Sequence, residues 1–166
     1  MRARVSAERL MDAPAEVIYH CIADYREHHR PEGFLPPVFS GFVISRGGVG
    51  AGTEASWVVD VGGRKRTITA TISEPVSGRT LVESGSAVET TFTVEPSDDR
   101  RTLVRFDTVI DERGLRGLLN RLFVAKILGP IYDEELRRLQ AYAQGHDGLL
   151  PIDHRPSSAA LTAAGA

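Results

Sequence analysis

Near the C-terminal end of the chain, apolar residues recur every three to four positions between Leu115 and Gly145. This spacing predicts a long amphipathic helix, because it places the apolar side chains along one face. Gly129 and Pro130 fall inside it, and a proline removes a backbone hydrogen bond and crowds the preceding turn, so we expect the helix to bend there. The apolar positions are Leu115, Leu118, Leu119, Leu122, Ala125, Tyr132, Leu136, Leu139, Tyr142 and Ala143.

Between Phe39 and Asp111 the apolar residues alternate with polar ones, a period of two that is typical of β-strands. Turns rich in glycine and proline divide this region into six strands. Because the alternation is regular, we expect an antiparallel sheet with one face in water and the other covered by the long helix. The predicted inward positions are Phe39, Gly41, Val43, Ala55, Trp57, Val59, Val61, Ile68, Ala70, Ile72, Val88, Thr90, Phe92, Val94, Val104, Phe106, Thr108 and Ile110.

The N-terminal part of the chain predicts a strand over Ala3–Met11 and a helix over Pro14–Ala23, since proline suits the first turn of a helix. A second short helix is expected over Tyr25–Arg30. The predicted order is then strand, two short helices, six antiparallel strands and a long helix, which makes an α+β domain over residues 1–145. Residues 146–166 lose the periodicity and are rich in small residues, so we expect them to form a disordered tail.

Composition and charge narrow the class of protein. The chain has 166 residues, 42% of them apolar, which is enough for one domain with a substantial core. A net charge of -2 and a pI near 6.2 argue against a nucleic-acid partner. Cys21 is the single cysteine and lies on an apolar helix face. One cysteine cannot build a disulfide framework, and this fits a cytoplasmic setting. No apolar run reaches the length of a membrane span.

Several turn and helix-start motifs occur in order along the chain. They are Asp12-Ala-Pro-Ala-Glu-Val-Ile-Tyr, Ile22-Ala-Asp-Tyr-Arg, His28 followed by Leu35-Pro-Pro, Gly47-Gly-Val-Gly-Ala-Gly-Thr, Glu74-Pro-Val-Ser-Gly-Arg, Thr91-Phe-Thr-Val and Tyr132-Asp-Glu-Glu-Leu-Arg-Arg-Leu. Together with the order of elements, these motifs resemble the START-like, or Bet v 1-like, superfamily (SRPBCC), most closely its bacterial polyketide cyclase/dehydrase and lipid-transport branch. The resemblance covers about residues 4–143. It implies a helix-grip fold, in which a seven-stranded curved antiparallel sheet wraps around a long kinked C-terminal helix and leaves an apolar cavity between them.

The same resemblance implies a function. Members of the superfamily bind lipids, sterols, polyketides or hormones in the cavity, and only some are enzymes. Binding of a small hydrophobic ligand (lipid, isoprenoid or polyketide-like) is therefore the leading hypothesis, with a polyketide aromatase/cyclase or dehydratase as the alternative; no cofactor is implied, and the choice between monomer and homodimer stays open. The expected ligand-binding residues are Tyr25, His28, Phe34, Leu35, Phe39, Trp57, Ile72, Thr90, Phe92, Phe106, Thr108, Leu128, Tyr132 and Leu136.

Two residues, His28 and Tyr132, are candidates for proton transfer beside the expected cavity. A histidine there could polarise a carbonyl group or act as a base near neutral pH. The alternative interpretation is structural: of the adjacent pair His28 and His29, one faces solvent and the other packs against the loop of Phe34 and Leu35. We see no residue pair whose spacing requires catalysis, which favours binding.

Glu83 is a third candidate, and its orientation is open. If Leu81 points inward, Glu83 does too, and burial in an apolar chamber would raise the pKa of its carboxyl group. If Val82 points inward instead, Glu83 is solvated. Thr90 and Thr108 fall on inward positions and could bind a ligand hydroxyl group, although threonines of a sheet are more often satisfied by their neighbours.

The glycine run Gly47–Gly52 does not indicate a nucleotide site, because no helix follows it and no lysine closes it. It is better explained as a hairpin loop. If this loop has a function, we expect it to form a flexible lip at the cavity mouth. His20 has no partner at metal-ligand spacing, so no metal site is expected.

Overall fold

A computed structural model describes residues 2–27, 29–30, 32–98, 100–111 and 121–146. Within these residues, seven strands and two helices form one sheet and its cover. Their bounds are β1 Arg2–Met11, α1 Ala15–Ala23, β2 Phe39–Arg46, β3 Glu54–Val61, β4 Arg64–Val76, β5 Thr80–Gly85, β6 Val88–Pro96, β7 Thr102–Asp111 and α2 Arg121–His146.

The strands form a single antiparallel sheet in the order β1, β7, β6, β5, β4, β3, β2. Strands β2 to β7 pair consecutively, whereas β1 joins β7 at the far edge, with Val5 opposite Thr108. Along β7, residues alternate strictly between buried and half-buried from Thr102 to Asp111, which is the pattern of a sheet covered on one face. The predicted α+β class and the seven-stranded antiparallel sheet are confirmed.

Helix α2 covers the sheet with one apolar face. Tyr132, Leu136, Leu139 and Ala143, spaced three or four residues apart, are all buried. The predicted long helix is confirmed from Arg121 onward, whereas residues 115–120 lie outside the described residues. Pro130 lies inside α2, and the bend expected there stays a prediction.

The second short helix predicted over Tyr25–Arg30 is wrong for the described part of that segment. Residues 25–27 form a turn. The carboxylate of Asp24 accepts hydrogen bonds from the backbone N–H groups of Arg26 and Glu27, and the N–H group of Tyr25 donates to the carbonyl of Gly48. The Asp24 side chain and the β2–β3 loop thus satisfy these backbone donors in a turn, and the described residues of the segment contain no second helix.

The predicted inward face of β2 is correct at Phe39 and wrong at Val43. Val43 is 60% exposed, whereas Phe42 and Ile44 pack against the core. The register between β2 and β3 shifts after Ser40, and Gly41 has a φ of 61°. An extra residue in one strand reverses the side-chain alternation beyond it, and glycine adopts the positive φ that such a bulge requires.

Helix α1 packs its apolar residues into the core. Val17, Ile18 and Ile22 are buried, as is the free thiol of Cys21. Pro14 precedes the helix as its N-terminal cap residue. None of the helices in the described part of the chain is long and apolar enough to cross a membrane, and the predicted tail beyond His146 lies outside the described residues.

Candidate functional site

A cavity of about 670 Å³ lies between the curved sheet and α2. Its wall is mostly apolar and is built from both helices, the segment before β2 and six of the strands. The apolar side chains on the wall are Ile22, Phe34, Leu35, Phe39, Phe42, Trp57, Val59, Val61, Ile68, Ala70, Val88, Phe92, Ile110, Ile127 and Leu128.

One edge of the cavity is formed by the tip of the β3–β4 hairpin. Gly62 and Gly63 turn the chain there with φ values of 60° and 78°, which glycine adopts without steric cost. Arg64 and Arg66 border the cavity from this tip and are exposed. These two arginines are therefore solvated and also form part of the cavity edge.

A row of polar residues crosses the cavity face of three neighbouring strands. Glu83 of β5 is opposite Thr90 of β6, which is opposite Thr108 of β7. The two threonine hydroxyl oxygens are hydrogen-bonded at 2.9 Å, and that of Thr108 lies 2.5 Å from the hydroxyl oxygen of Tyr132 on α2. Both threonines are thus satisfied by neighbours, and burial raises the pKa of the Tyr132 phenol, which therefore stays protonated at neutral pH.

Glu83 adopts the inward one of its two possible orientations. Leu81, two residues earlier on β5, is fully buried, and Glu83 follows it onto the cavity wall. The hydroxyl group of Tyr25 donates a hydrogen bond of 2.5 Å to Oε1 of Glu83. Burial raises the pKa of the Glu83 carboxyl group to about 7, and the hydrogen bond from Tyr25 partly opposes that rise. This carboxyl group can therefore gain or lose a proton near neutral pH.

Glu135 of α2 is a second carboxyl group on the cavity wall. It is only 5% exposed. Burial, followed by the charge of Glu83, raises its pKa to about 8. It is missing from the residues predicted above, although the sequence contains its signal: Leu128, Tyr132 and Glu135 are spaced by four and three positions, which puts them on one face of a helix.

Tyr25 is held behind Glu83 by the glycine-rich loop. Besides the bond from its N–H group to Gly48, the N–H group of Gly50 donates to the carbonyl of Ala23 at 2.9 Å. Tyr25 also stacks on His29, with ring centroids 4.2 Å apart. The loop at 47–52 joins β2 to β3 as expected, but none of its residues lies on the cavity wall, so it positions Tyr25 rather than forming a lip.

The residues predicted to line the cavity fall into three groups. Nine lie on its wall, one supports Glu83 from behind, and three are buried outside the wall. On the wall are Phe34, Leu35, Phe39, Trp57, Thr90, Phe92, Thr108, Leu128 and Tyr132. The supporting residue is Tyr25. Ile72, Phe106 and Leu136 are core residues that do not reach the wall. His28 lies outside the described residues.

His29 is the histidine of the His28–His29 pair that packs against the loop of Phe34 and Leu35, as the structural interpretation predicts. It is buried, its ring packs edge-on against Phe34 at 5.3 Å, and its Nδ1 atom lies 3.2 Å from the carbonyl oxygen of Asp24. It also borders the cavity. In the described part of the chain, no group of three or more histidine, cysteine, aspartate or glutamate residues could hold a metal ion.

Comparison with solved structures agrees with this architecture. The KanY protein is 25% identical with a TM-score of 0.70, and the match covers 87% of this chain and 99% of that one. A START superfamily protein from Mycobacterium smegmatis is 17% identical, TM-score 0.66, over 86% of this chain and 97% of that one. Zhui aromatase/cyclase from Streptomyces sp. R1128 is 16% identical with a TM-score of 0.60, and the match covers 89% of this chain and 94% of that one.

None of the curated proteins matches this chain by sequence. A family model does match it: the model described as "Polyketide cyclase / dehydrase and lipid transport" covers residues 2–144. This range includes β1, α1, all the other strands and nearly all of α2. The chain therefore belongs to the polyketide cyclase/dehydrase and lipid-transport family.

Proposed function

We propose that the protein binds a small hydrophobic ligand, such as a lipid, an isoprenoid or a polyketide-like molecule, in the cavity between the sheet and α2. The observation that carries this proposal is the size and character of the cavity. Its volume of about 670 Å³ lies within the range of small-molecule sites, which are mostly apolar with a few polar groups. Phe34, Trp57 and Phe92 contribute aromatic rings to the wall, and Glu83 and Glu135 contribute carboxyl groups. The family description supports a ligand of this class.

Apolar contact with the wall would supply most of the affinity. Each buried methylene group contributes about 0.8 kcal/mol, which corresponds to roughly a fourfold gain in affinity at 1.36 kcal/mol per factor of ten. A series of unbranched alcohols is therefore an informative set of probes, because its members differ only in the number of methylene groups. Affinity should rise with chain length until the cavity is full and then stop rising.

The experiment is displacement of a neutral fluorescent dye, Nile red, by hexanol, octanol, decanol and dodecanol, with native mass spectrometry to count bound alcohols. We expect one alcohol per chain and about a fourfold gain per methylene group over part of the series. Absence of binding by every alcohol and by the dye would refute the proposal. Affinity that does not depend on chain length would also count against an enclosed apolar site.

A second function, that of an aromatase/cyclase or dehydratase acting on a poly-ketone chain, is favoured by one specific observation. Burial raises the pKa of Glu83 to about 7 and that of Glu135 to about 8. Near neutral pH, the first group could accept a proton while the second donates one, which is the pairing that general acid–base catalysis uses. The cavity would orient the chain, and Tyr132 could donate a hydrogen bond to a ketone oxygen.

Substitution of Glu83 separates the two functions. If the protein is an enzyme, Glu83→Gln should abolish turnover of a synthetic poly-ketone while it changes the affinity for decanol by no more than a few fold. Equal loss of turnover and of decanol binding would mean that Glu83 shapes the cavity and carries no chemistry. If the wild-type protein binds decanol but turns over no poly-ketone, binding stands alone.

A further inference from the structure

We infer that the cavity selects hydrophobic ligands that carry a protonated amine, which Glu83 and Glu135 hold by charge and hydrogen bonds. The inference rests on the proposed binding function and names the chemical class of its ligand. It follows from the supply of donors and acceptors on the cavity wall.

Glu135 is the first part of the argument. Its side chain is on the cavity wall and the residue is 5% exposed. No hydrogen bond or ion pair joins its carboxyl group to any other described residue; the neighbouring Glu134, by contrast, pairs with Arg137 and Arg138 on the solvent side of the helix. A buried carboxyl group without a partner is costly to ionise and keeps its proton to a higher pH, and a cation that pairs with it offsets the cost of ionisation.

Glu83 provides the second carboxyl group with an open oxygen. Its Oε1 atom accepts the hydrogen bond of Tyr25, and no described residue donates to its Oε2 atom. The Tyr25 hydroxyl hydrogen is used in that bond. Two hydrogen bonds join Thr90, Thr108 and Tyr132, which leaves one hydroxyl hydrogen of the three for the open oxygen of Glu83 and the two of Glu135. The wall therefore offers carboxyl oxygens in excess of protein donors. An ammonium group supplies three donors and a positive charge.

The other charged and titratable groups around the pair do not replace such a ligand. Among the described residues on the cavity wall, Arg64 and Arg66 are the only lysine or arginine residues; both are exposed on the β3–β4 hairpin, and neither forms an ion pair with the two carboxyl groups. His29 borders the cavity from the segment before β2, where its Nδ1 atom lies near the Asp24 carbonyl oxygen. Tyr25 and Tyr132 are neutral phenols, because burial raises the pKa of both.

Binding of an ammonium group should release protons from the pair. With a pKa of about 7 for Glu83 and about 8 for Glu135, the carboxyl groups retain more than one proton between them at pH 7. A bound cation favours the ionised form and lowers both values. The amine keeps its own proton, and the carboxyl protons leave to the buffer. The pair holds about 1.4 protons at pH 7, so the release per ligand should lie between about 0.4, when one carboxyl group becomes fully ionised, and about 1.4, when both do.

The test compares decylamine, decanol and decanoate, which share an apolar tail and differ at the head group. Displacement of Nile red at pH 7 gives the affinities, and titration calorimetry in two buffers of different ionisation enthalpy gives the number of protons released. We expect decylamine to bind at least about tenfold more tightly than decanol, since hydrogen bonds to charged groups are the stronger ones. Decanoate should bind more weakly than decanol.

Two glutamine variants test whether the preference for decylamine over decanol depends on the two carboxyl groups. Glu135→Gln and Glu83→Gln should each lower the ratio of decylamine to decanol affinity toward one and reduce the proton release. Glu134→Gln, one position away on the solvent side of α2, is the matched control and should keep the wild-type ratio.

The outcomes separate this inference from the proposed function. If decanol binds and decylamine binds no better, the inference is wrong and the binding function stands. A decylamine preference that survives in both glutamine variants would place the amine elsewhere and also overturn the inference. If none of the three compounds binds, the proposed function itself fails.

Discussion

Replacing Glu135 by glutamine should remove one of two large contributions to the pH dependence of the protein's stability between pH 5 and pH 8, the other being that of Glu83, whose pKa is about 7. Glu135 has a pKa of about 8 in the folded chain, against an ordinary value of 4.5. Across this window the folded protein keeps a proton that the unfolded chain releases. The unfolded state therefore binds fewer protons than the folded state, and the free energy of unfolding falls as the pH rises. The loss begins near pH 4.5 and is complete above pH 8.

The size of the effect follows from the separation of the two pKa values. Each unit corresponds to about 1.36 kcal/mol, so the wild-type protein should lose on the order of 3 kcal/mol through this one group between pH 5 and pH 8. Glutamine has nearly the same shape and does not titrate. The variant should thus gain relative to the wild-type protein as the pH rises, with the larger part of the gain above pH 6.

Urea unfolding of both proteins at pH 5, 6, 7 and 8, followed by circular dichroism, measures the difference directly. Glu134→Gln is the control, because the pKa of the Glu134 carboxyl group is held at about 2 by Arg137 and Arg138 and the group stays ionised throughout this window. A stability difference between the wild-type protein and Glu135→Gln that stays constant from pH 5 to pH 8 would refute the assignment of Glu135 as a buried, partnerless carboxyl group.

Three further predictions concern neighbouring features. Tyr25→Phe removes the hydrogen bond that lowers the pKa of Glu83, so carboxyl NMR titration should give a value above about 7; an unchanged or lower pKa would contradict the contact. Gly41→Ala should cost about 1 to 2 kcal/mol in urea unfolding, because a φ of 61° is unfavourable for alanine although the added methyl group has room beside Val58; a loss near zero would argue against the bulge. Pro130→Ala should straighten α2 and change decanol uptake more than it changes the free energy of unfolding. Unchanged uptake would mean that Pro130 does not affect the size or opening of the cavity.

Much of the fold could be predicted because it depends on periodicity. The alternation along β7 and the apolar face of α2 each extend over several residues, so one irregular position does not hide the pattern. The errors occur where a single local interaction overrides it. A glycine bulge at Gly41 reverses the phase of β2, and hydrogen bonds to the Asp24 side chain and the Gly48 carbonyl turn the chain where a helix was expected.

The candidate site was predictable only in part, for a different reason. Alternation assigns Thr90 and Thr108 to the inner face, but it leaves both phases open for Glu83, because Leu81 and Val82 are equally apolar. Alternation also does not distinguish an inward residue on the cavity wall, such as Trp57, from an inward residue in the core that does not reach the wall, such as Ile72. That distinction depends on the distance between the helix and the sheet. Glu135 lies on the inner face of α2 by spacing alone, but its lack of a partner depends on the side chains that surround it in the fold.

The affinity of the Ala70→Phe variant for decanol shows whether the ligand occupies the cavity between the sheet and α2. Ala70 is buried on the cavity wall, so a phenyl group there should occupy ligand space, whereas Thr71→Phe adds the same ring at an exposed position of the same strand. With both variants shown to be folded by circular dichroism, we expect Ala70→Phe to bind decanol at least about tenfold more weakly than the wild-type protein, since several methylene groups lose their contacts, and Thr71→Phe to bind it normally. Equal affinity in all three proteins would contradict the account, because the ligand would then lie outside the cavity between the sheet and α2.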